Sequence, residues 1–328
     1  MVKRIFSFVL VLMLTFSSVQ TEAADLVDDM MADLSREAMH FYNTQIAVAN
    51  MTLTRPSANS YLVNYVDQSG KVVTIQLYKT AWGTWNLGDL NLVENGIVKN
   101  IMGGATDWEY VFRIYNHVTK NMEFMGGNHE NERLNSIVFK DGVTGEIISL
   151  NVGESKYVAR IVIEENTTIE IDDAEYMDLI NVERVYTIVG STINLDCKLT
   201  FVLDVLMSLS YTAMAPVNKN FARECSLGYD GGYVSTGGKG TCTKKYLGNL
   251  GVPECWLRGD DPSASVTVGI YNEKDMTDNF SNRNKTFLWD MSEEFNKLYF
   301  SKFSDTGRTK VEKGTVWNFG TYWRVNIQ

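Results

Sequence analysis

Proline, cysteine and histidine are scarce in this chain of 328 residues, which has 4, 4 and 3 of them respectively. Cationic residues are also in the minority, with 30 Lys and Arg against 40 Asp and Glu, and the formal net charge is −10. A surplus of acid repels the phosphate backbone that supplies most nucleic-acid affinity, so a general nucleic-acid binder is excluded. The sequence also lacks a Walker A loop, a dinucleotide fingerprint, a G-x-S-x-G elbow and a C-x-x-C pair, which disfavours nucleotide-dependent and serine-hydrolase chemistry.

Strand-forming residues and glycine make up much of what is present. The chain is 45% hydrophobic and 12% aromatic, with 25 glycines, and its apolar residues alternate in many short runs. Residues 61–66 and 72–78 are two such runs on either side of Asp67-Gln68-Ser69-Gly70, which predicts a β-hairpin. We therefore predict an all-β fold, an antiparallel β-sandwich or jelly roll, with one short N-terminal helix within residues 25–49.

The N-terminus has the order of regions found in a secretory signal peptide. Lys3 and Arg4 precede an apolar run at residues 5–14, and polar and small residues follow as far as Ala24. The run is shorter than the roughly 20 apolar residues that span a membrane. We expect residues 1–24 to be removed and the protein to be secreted, with no membrane contact afterwards. Cleavage would take away two cations and one carboxylate, so that the net charge becomes −11.

Two further regions follow in the predicted organisation. Residues 25–100 form an N-terminal helix plus β-hairpin module, either separate or part of the main domain. Residues 101–328 form the main β-sandwich, with a long Gly-rich loop at 216–263. A loop of that length in a compact domain is usually functional or mobile.

Cysteine placement in a secreted chain points to one disulfide. Cys197 shares the apolar side of an alternating run and is predicted to be a buried thiol. Cys225, Cys242 and Cys255 lie in the Gly-rich segment, where a bridge would restrain a long loop. The sequence favours Cys242–Cys255, with Cys225–Cys242 as the second choice.

The segment 125–133 is the most unusual local sequence. Two glycines precede six polar residues that together carry an imidazole, two carboxylates, two amides and a guanidinium. Such a density of polar groups between two strands is typical of a catalytic or ligand site, although a solvated hairpin loop would have the same composition. His129 is the main candidate for a base at neutral pH, because the chain has so few histidines.

The segment Gly127-Asn128-His129-Glu130-Asn131-Glu132 resembles the His-x-x-Glu zinc motif of the metallocarboxypeptidase and succinylglutamate desuccinylase families. That resemblance implies zinc bound by His129 and Glu132. A downstream histidine completes the site in those families, and no histidine follows His129 here. Catalytic zinc normally needs three protein ligands, so the sequence predicts neither a metal site nor a cofactor.

A broader resemblance is to secreted and phage-associated β-sandwich proteins that act on surface polysaccharides, including lyases. It is carried by three segments: Asp107-Trp108-Glu109-Tyr110, Gly126-Gly127-Asn128-His129 and Phe139-Lys140-Asp141-Gly142. The resemblance implies a polysaccharide partner and cleavage of an anionic polymer by β-elimination.

A lyase must neutralise a uronate carboxylate, remove the adjacent C5 proton and protonate the departing oxygen. Here Asn128 or Arg133 is the candidate neutralising group and His129 the candidate base. The candidate acid is Tyr211 or Tyr229. Local positive charge in the Gly-rich segment predicts docking of the anionic chain, although scattered loop lysines would serve solubility equally well. The candidate substrate-binding residues are Lys219, Arg223, Tyr229, Lys239, Lys244 and Lys245.

Two alternatives remain open at the level of sequence. A glycoside hydrolase would need two carboxylates about 5–10 Å apart, for which Glu130 and Glu132 are the pair in the polar loop. A non-catalytic carbohydrate-binding or surface structural protein would instead use aromatic rings, although large aromatic residues belong more often to a sandwich core. The aromatic candidates are Trp82, Trp85, Trp317, Tyr322 and Trp323.

Overall fold

The computed structural model describes residues 50–104, 106–171, 177–227, 233–236, 238–247, 254–271, 285–303 and 307–328. Within these ranges the secondary structure is almost entirely antiparallel strand, so the predicted all-β sandwich is confirmed. The predicted N-terminal helix and the signal peptide lie outside the described residues.

The first half of the described chain contributes twelve strands. They are β1 (Met51–Ser57), β2 (Ser60–Val66), β3 (Val72–Lys79), β4 (Trp85–Glu94), β5 (Ile97–Met102), β6 (Tyr110–Asn116), β7 (Asn121–Met125), β8 (Glu132–Asp141), β9 (Ser155–Val158), β10 (Ile161–Ile171), β11 (Met177–Val189) and β12 (Thr192–Phe201).

The second half contributes ten strands and one helical turn. They are β13 (Val205–Asn218), α1 (Lys219–Ala222), β14 (Glu224–Leu227), β15 (Tyr233–Ser235), β16 (Lys244–Tyr246), β17 (Glu254–Arg258), β18 (Ala264–Tyr271), β19 (Phe287–Trp289), β20 (Phe295–Ser301), β21 (Thr309–Val311) and β22 (Val316–Ile327).

The strands form two sheets. A 13-stranded sheet has the order β16-β19-β20-β13-β5-β4-β3-β2-β1-β9, with β21 and β6 also paired to β13 and with β7 paired to β6. A nine-stranded sheet has the order β15-β14-β17-β18-β22-β12-β11-β10-β8. One continuous apolar cluster draws on both sheets, with Leu53 and Val63 from the first and Ile163 and Leu195 from the second. Burial of this shared face is the main force that holds the sheets together.

The predicted hairpin at residues 61–78 is present as β2 and β3, which pair from Ser60↔Tyr78 to Val66↔Val72. Alternate residues of both strands are buried, as the period-two pattern requires. The prediction that residues 216–263 form one long loop was wrong in one respect. The described residues of this segment contain α1 and the short strands β14, β15, β16 and β17. These strands form because their backbone pairs with neighbouring strands, which the weak hydrophobic pattern of the segment does not indicate.

Candidate functional site

The loop between β7 and β8 is shaped by three residues with positive φ. Gly126 and Gly127 have φ of 82° and 61°, and Asn131 has φ of 70°. The backbone N–H of His129 donates to the carbonyl of Gly126 at 3.1 Å, which closes a tight turn. A Cβ on Gly127 would lie 2.5 Å from the carbonyl oxygen of Tyr110. Glycine therefore lets this loop pass closely over β6.

Asp107 binds the loop from the side of the large sheet. Its Oδ1 accepts a hydrogen bond from the backbone N–H of Asn128, and its Oδ2 lies 3.6 Å from Nε2 of His129. The Nζ of Lys297 lies 3.9 Å from the same Oδ2. Burial lowers the pKa of Lys297 to about 8, although Asp107 opposes that shift. The imidazole of His129 and the buried amine of Lys297 thus both lie beside the carboxylate of Asp107.

His129 remains accessible within this group. Its side chain is 41% exposed, and its ring stacks on Phe124 with the centroids 5.1 Å apart. An imidazole that contacts a carboxylate and is partly open to solvent has the chemistry of a general acid or base.

Asn128 is held in place by two neighbouring strands. Its side-chain oxygen accepts from the hydroxyl of Tyr78 and from the amide of Asn86, the latter at 3.0 Å. The same Asn86 amide donates to the carbonyl of Gly127 at 2.8 Å. Burial raises the pKa of Tyr78 to about 12, so that the phenol stays a hydrogen-bond donor.

Beneath the loop lies a group of buried charges, which we call the Arg184 network: Arg184, Glu132 and Glu165. The guanidinium of Arg184 lies 2.7 Å from the carboxylate of Glu165 and 3.7 Å from that of Glu132. Glu132 also accepts from the hydroxyl of Tyr110 at 2.7 Å and from the N–H of Gly127 at 3.0 Å. Buried charges are tolerated only when they are paired and hydrogen-bonded, as Glu132 is. Because Glu132 is the first residue of β8, these contacts hold the start of β8 against the loop.

A pocket of about 390 Å³ opens beside the polar loop, and we call it the Trp82 pocket. Its lining residues are Ala81, Trp82, Glu130, Asn131, Glu132, Arg133 and Glu170. The indole Nε1 of Trp82 is buried and has no hydrogen-bond partner among the described residues. The pocket therefore combines an aromatic side chain with carboxylates, an amide and a guanidinium.

Arg133 is fixed by its own partners. Its Nε donates to Glu170 at 2.8 Å and its terminal nitrogens donate to Asn135 at 2.6 Å and Asp178 at 3.1 Å. The two carboxylates already balance its charge, so it is a weaker neutralising group than the sequence indicates.

Two other predicted catalytic residues are buried. Glu132 is buried in the Arg184 network and accepts hydrogen bonds from the hydroxyls of Tyr110 and Thr167. These contacts leave it poorly placed to bind zinc with His129, or to act as a carboxylate pair with the exposed Glu130. Tyr211 packs in a second apolar cluster against Phe287 and Tyr299, with ring centroids at 5.8 and 4.5 Å. The structure thus gives Tyr211 a packing role on β13 rather than a place in the pocket.

The predicted basic docking residues are not joined to the loop of His129. Lys219 is buried against Asp290, and Arg223 forms an exposed ion pair with Asp260 at 3.0 Å. The remaining lysines, Lys239, Lys244 and Lys245, are exposed, whereas Tyr229 lies outside the described residues. Within the described chain, the Trp82 pocket is lined by none of these side chains. These residues are therefore not part of this pocket, and their docking of an anionic chain stays a prediction.

Most of the aromatic candidates belong to the core. Trp85, Trp317, Tyr322 and Trp323 are buried, and only Trp82 of the five reaches the pocket. The loop is built around residues to which the sequence assigned no role. Asp107, which was named only within a resemblance segment, and Lys297 lie at its edge, and Arg184 and Glu165 lie beneath it. The sequence carries one signal for Arg184. In the alternating pattern this arginine shares a strand face with Val182 and Tyr186, so a charge stands where a core residue is expected.

The described residues contain no group of three or more His, Cys, Asp or Glu side chains placed to hold a metal ion. They also contain no helix that is both long and apolar enough to cross a membrane.

Comparison with known proteins gives similarity of architecture alone. No family model matches the chain, and no curated protein matches it. A GH36 α-galactosidase from Geobacillus stearothermophilus superimposes with a TM-score of 0.46 at 8% identity, over 86% of this chain and 41% of that one. An α-galactosidase from Lactobacillus brevis superimposes with a TM-score of 0.41 at 7% identity, over 85% of this chain and 40% of that one.

The Slr1438 protein from Synechocystis matches with a TM-score of 0.35 at 11% identity, over 87% of this chain and 98% of that one. This chain therefore spans about two fifths of the galactosidase chains and nearly all of Slr1438. With TM-scores below 0.5, these likenesses assign no activity to the chain.

Proposed function

We propose that this protein is secreted and binds a carbohydrate polymer, with the Trp82 pocket as its sugar site. The observation that carries the proposal is the composition of that pocket. A sugar ring presents an apolar C–H face and a rim of hydroxyl groups, so it needs an aromatic surface next to directional polar groups. Trp82 supplies the first, and Glu130, Asn131 and Arg133 supply the second. A volume of about 390 Å³ is within the range of small-ligand pockets.

Two polar residues of the pocket are held in place before any ligand arrives. Arg133 is held by Glu170 and Asp178, and the backbone of Asn131 has positive φ and accepts from the N–H of Glu170 at 2.9 Å. Groups fixed in this way lose little conformational entropy on binding, which favours affinity for a ligand that fits.

Affinity electrophoresis against neutral and uronate-containing polysaccharides tests this proposal. Trp82→Ala should weaken retention by at least about tenfold, the equivalent of ~1.4 kcal/mol. Trp256→Ala is the matched control, because that indole is 45% exposed on β17 and does not line the pocket. Equal retention of both variants would place the sugar elsewhere, and wild-type protein that binds none of the polymers would overturn the carbohydrate function.

A second candidate, supported by the contact between His129 and Asp107, is a polysaccharide lyase. Asp107 contacts Nε2 and can orient the imidazole so that the other ring nitrogen takes the C5 proton of a uronate. The electron pair of that C–H bond would form the C4–C5 double bond as the C4–O bond breaks, and the departing oxygen would take a proton from solvent or a tyrosine. Asn128, held in place beside His129, is the candidate group for the uronate carboxylate, because Glu170 and Asp178 already balance the charge of Arg133.

Ultraviolet absorbance of the unsaturated product measures this reaction. His129→Ala should abolish product formation from a uronate polymer, whereas His117→Ala should retain it, because that exposed residue lies in the turn after β6. Full activity in His129→Ala would remove the imidazole from the mechanism. If the wild-type protein binds polymer and releases no product, binding is the whole function.

A further inference from the structure

Two cysteines that the sequence did not pair lie together in the nine-stranded sheet. Cys225 on β14 pairs in register with Leu257, and Cys255 on β17 pairs with Leu227, so that the two cysteines are diagonal neighbours on adjacent antiparallel strands. Both side chains are buried, and their thiols are within hydrogen-bonding contact of each other. The contact between the thiols shows that the two sulfurs approach each other across this diagonal.

The pairings that the sequence favoured are less well placed. Cys242 is exposed, and its sulfur contacts the carbonyl of Met291, in the segment between β19 and β20 of the 13-stranded sheet. Cys255 lies in the other sheet, at a position that faces the core. A bridge from Cys242 to Cys255 would have to join an exposed residue beside the 13-stranded sheet to a buried residue of the nine-stranded sheet.

We propose that Cys225 and Cys255 form a disulfide when the protein is exported, and that Cys242 and Cys197 remain thiols. The oxidant is the disulfide of a thiol–disulfide oxidoreductase or of oxidised glutathione. One cysteine thiolate attacks that disulfide and releases one carrier thiolate, forming a mixed disulfide. The second cysteine thiolate then attacks the first cysteine sulfur and displaces the other carrier thiol. Two electrons and two protons pass to the carrier.

The position of the bridge gives it a structural purpose. It links β14 to β17 across 29 intervening residues, near the edge of the nine-stranded sheet where β15 and β14 have only short pairings. Closing a loop of that length removes conformational freedom from the unfolded chain. Because burial also raises the pKa of the Cys255 thiol, the folded reduced protein reacts slowly and the bond forms during folding.

Peptide mapping tests the pairing without any variant. The protein is refolded with oxidised and reduced glutathione, free thiols are alkylated, and the unreduced digest is analysed by mass spectrometry. The expected result is one cross-linked peptide pair that joins Cys225 to Cys255, with Cys197 and Cys242 alkylated. Four alkylated cysteines, or a cross-link through Cys242 or Cys197, would overturn the proposal.

Thermal unfolding provides an independent readout. A reductant should lower the Tm of the oxidised wild type by on the order of 5 °C, and should leave the Cys225→Ala/Cys255→Ala double variant unchanged. Cys242→Ser is the matched control, and it should respond to reductant as the wild type does. A wild-type Tm that is insensitive to reductant after oxidative refolding would contradict the bridge.

Discussion

Gly127 shows how one residue constrains the candidate site. Its φ is 61°, and an added Cβ would meet the carbonyl oxygen of Tyr110 at 2.5 Å and the carboxylate of Asp107 at 2.6 Å. The first of these neighbours is backbone and cannot rotate away. The conformation and the close approach therefore both require glycine.

We expect Gly127→Ala to lower the free energy of unfolding by about 2–3 kcal/mol and to weaken polysaccharide retention, because the Asp107 contact to the loop is displaced. Gly145→Ala is the matched control: its φ is 76°, with no atom within 4 Å of the added Cβ. It should cost only the backbone strain, on the order of 1 kcal/mol. Urea denaturation measures both, and equal costs would show that the close approach is unimportant.

At the scale of elements, Asp290 anchors the segment that leads into β16. It follows β19, and its carboxylate accepts from Lys219, from the N–H groups of Gly240 and Thr241, and from the hydroxyl of Thr241. These bonds hold the pKa of Asp290 well below its usual range. A strand of three residues with few apolar contacts depends on such an anchor.

Asp290→Asn should lower the free energy of unfolding by about 2–4 kcal/mol, since it leaves the buried Lys219 ammonium without its counter-charge. Hydrogen exchange should accelerate first in residues 240–247. Asp260→Asn removes an exposed ion pair with Arg223 and should cost less than about 1 kcal/mol. Exchange in 240–247 that is unaltered in Asp290→Asn would mean that strand pairing alone holds the segment.

At the scale of the whole molecule, the Arg184 network makes stability depend on pH. Burial raises the pKa of Glu165 from its ordinary 4.5 to about 7, although Arg184 opposes the shift. The folded state therefore binds more protons than the unfolded state between these two values. The protonation of Glu165 therefore stabilises the folded state fully below about pH 4.5, and this stabilisation is lost as the pH rises through 7.

As the pH rises from 4.5 to 7.5, we expect the ionisation of Glu165 to lower the free energy of unfolding by about 1–3 kcal/mol. Glu165→Gln keeps the shape and one hydrogen-bonding oxygen and should flatten that part of the profile. Comparing the two proteins by urea denaturation at several pH values cancels the contribution of the other carboxyls. Parallel profiles would show that Glu165 is ionised throughout the range.

The sequence by itself determined the fold class. Period-two burial in β2 and β3 is a local property of the chain, and a run of such strands has few ways to bury its apolar faces other than a two-sheet sandwich. It also located the polar loop around His129, because two glycines before six polar residues are visible without any tertiary information. Domain boundaries, secretion and the polysaccharide partner stay predictions.

The tertiary structure decided which groups surround that loop. Asp107, Lys297 and Arg184 reach it from three separate strands or loops, and no local pattern records which strands will be neighbours in a sheet. The same reason explains the cysteines: Cys225 meets Cys255 through the register of β14 and β17, whereas sequence spacing favoured Cys242. Long-range strand pairing, set by burial of the whole core, fixed the contacts that local propensity left open.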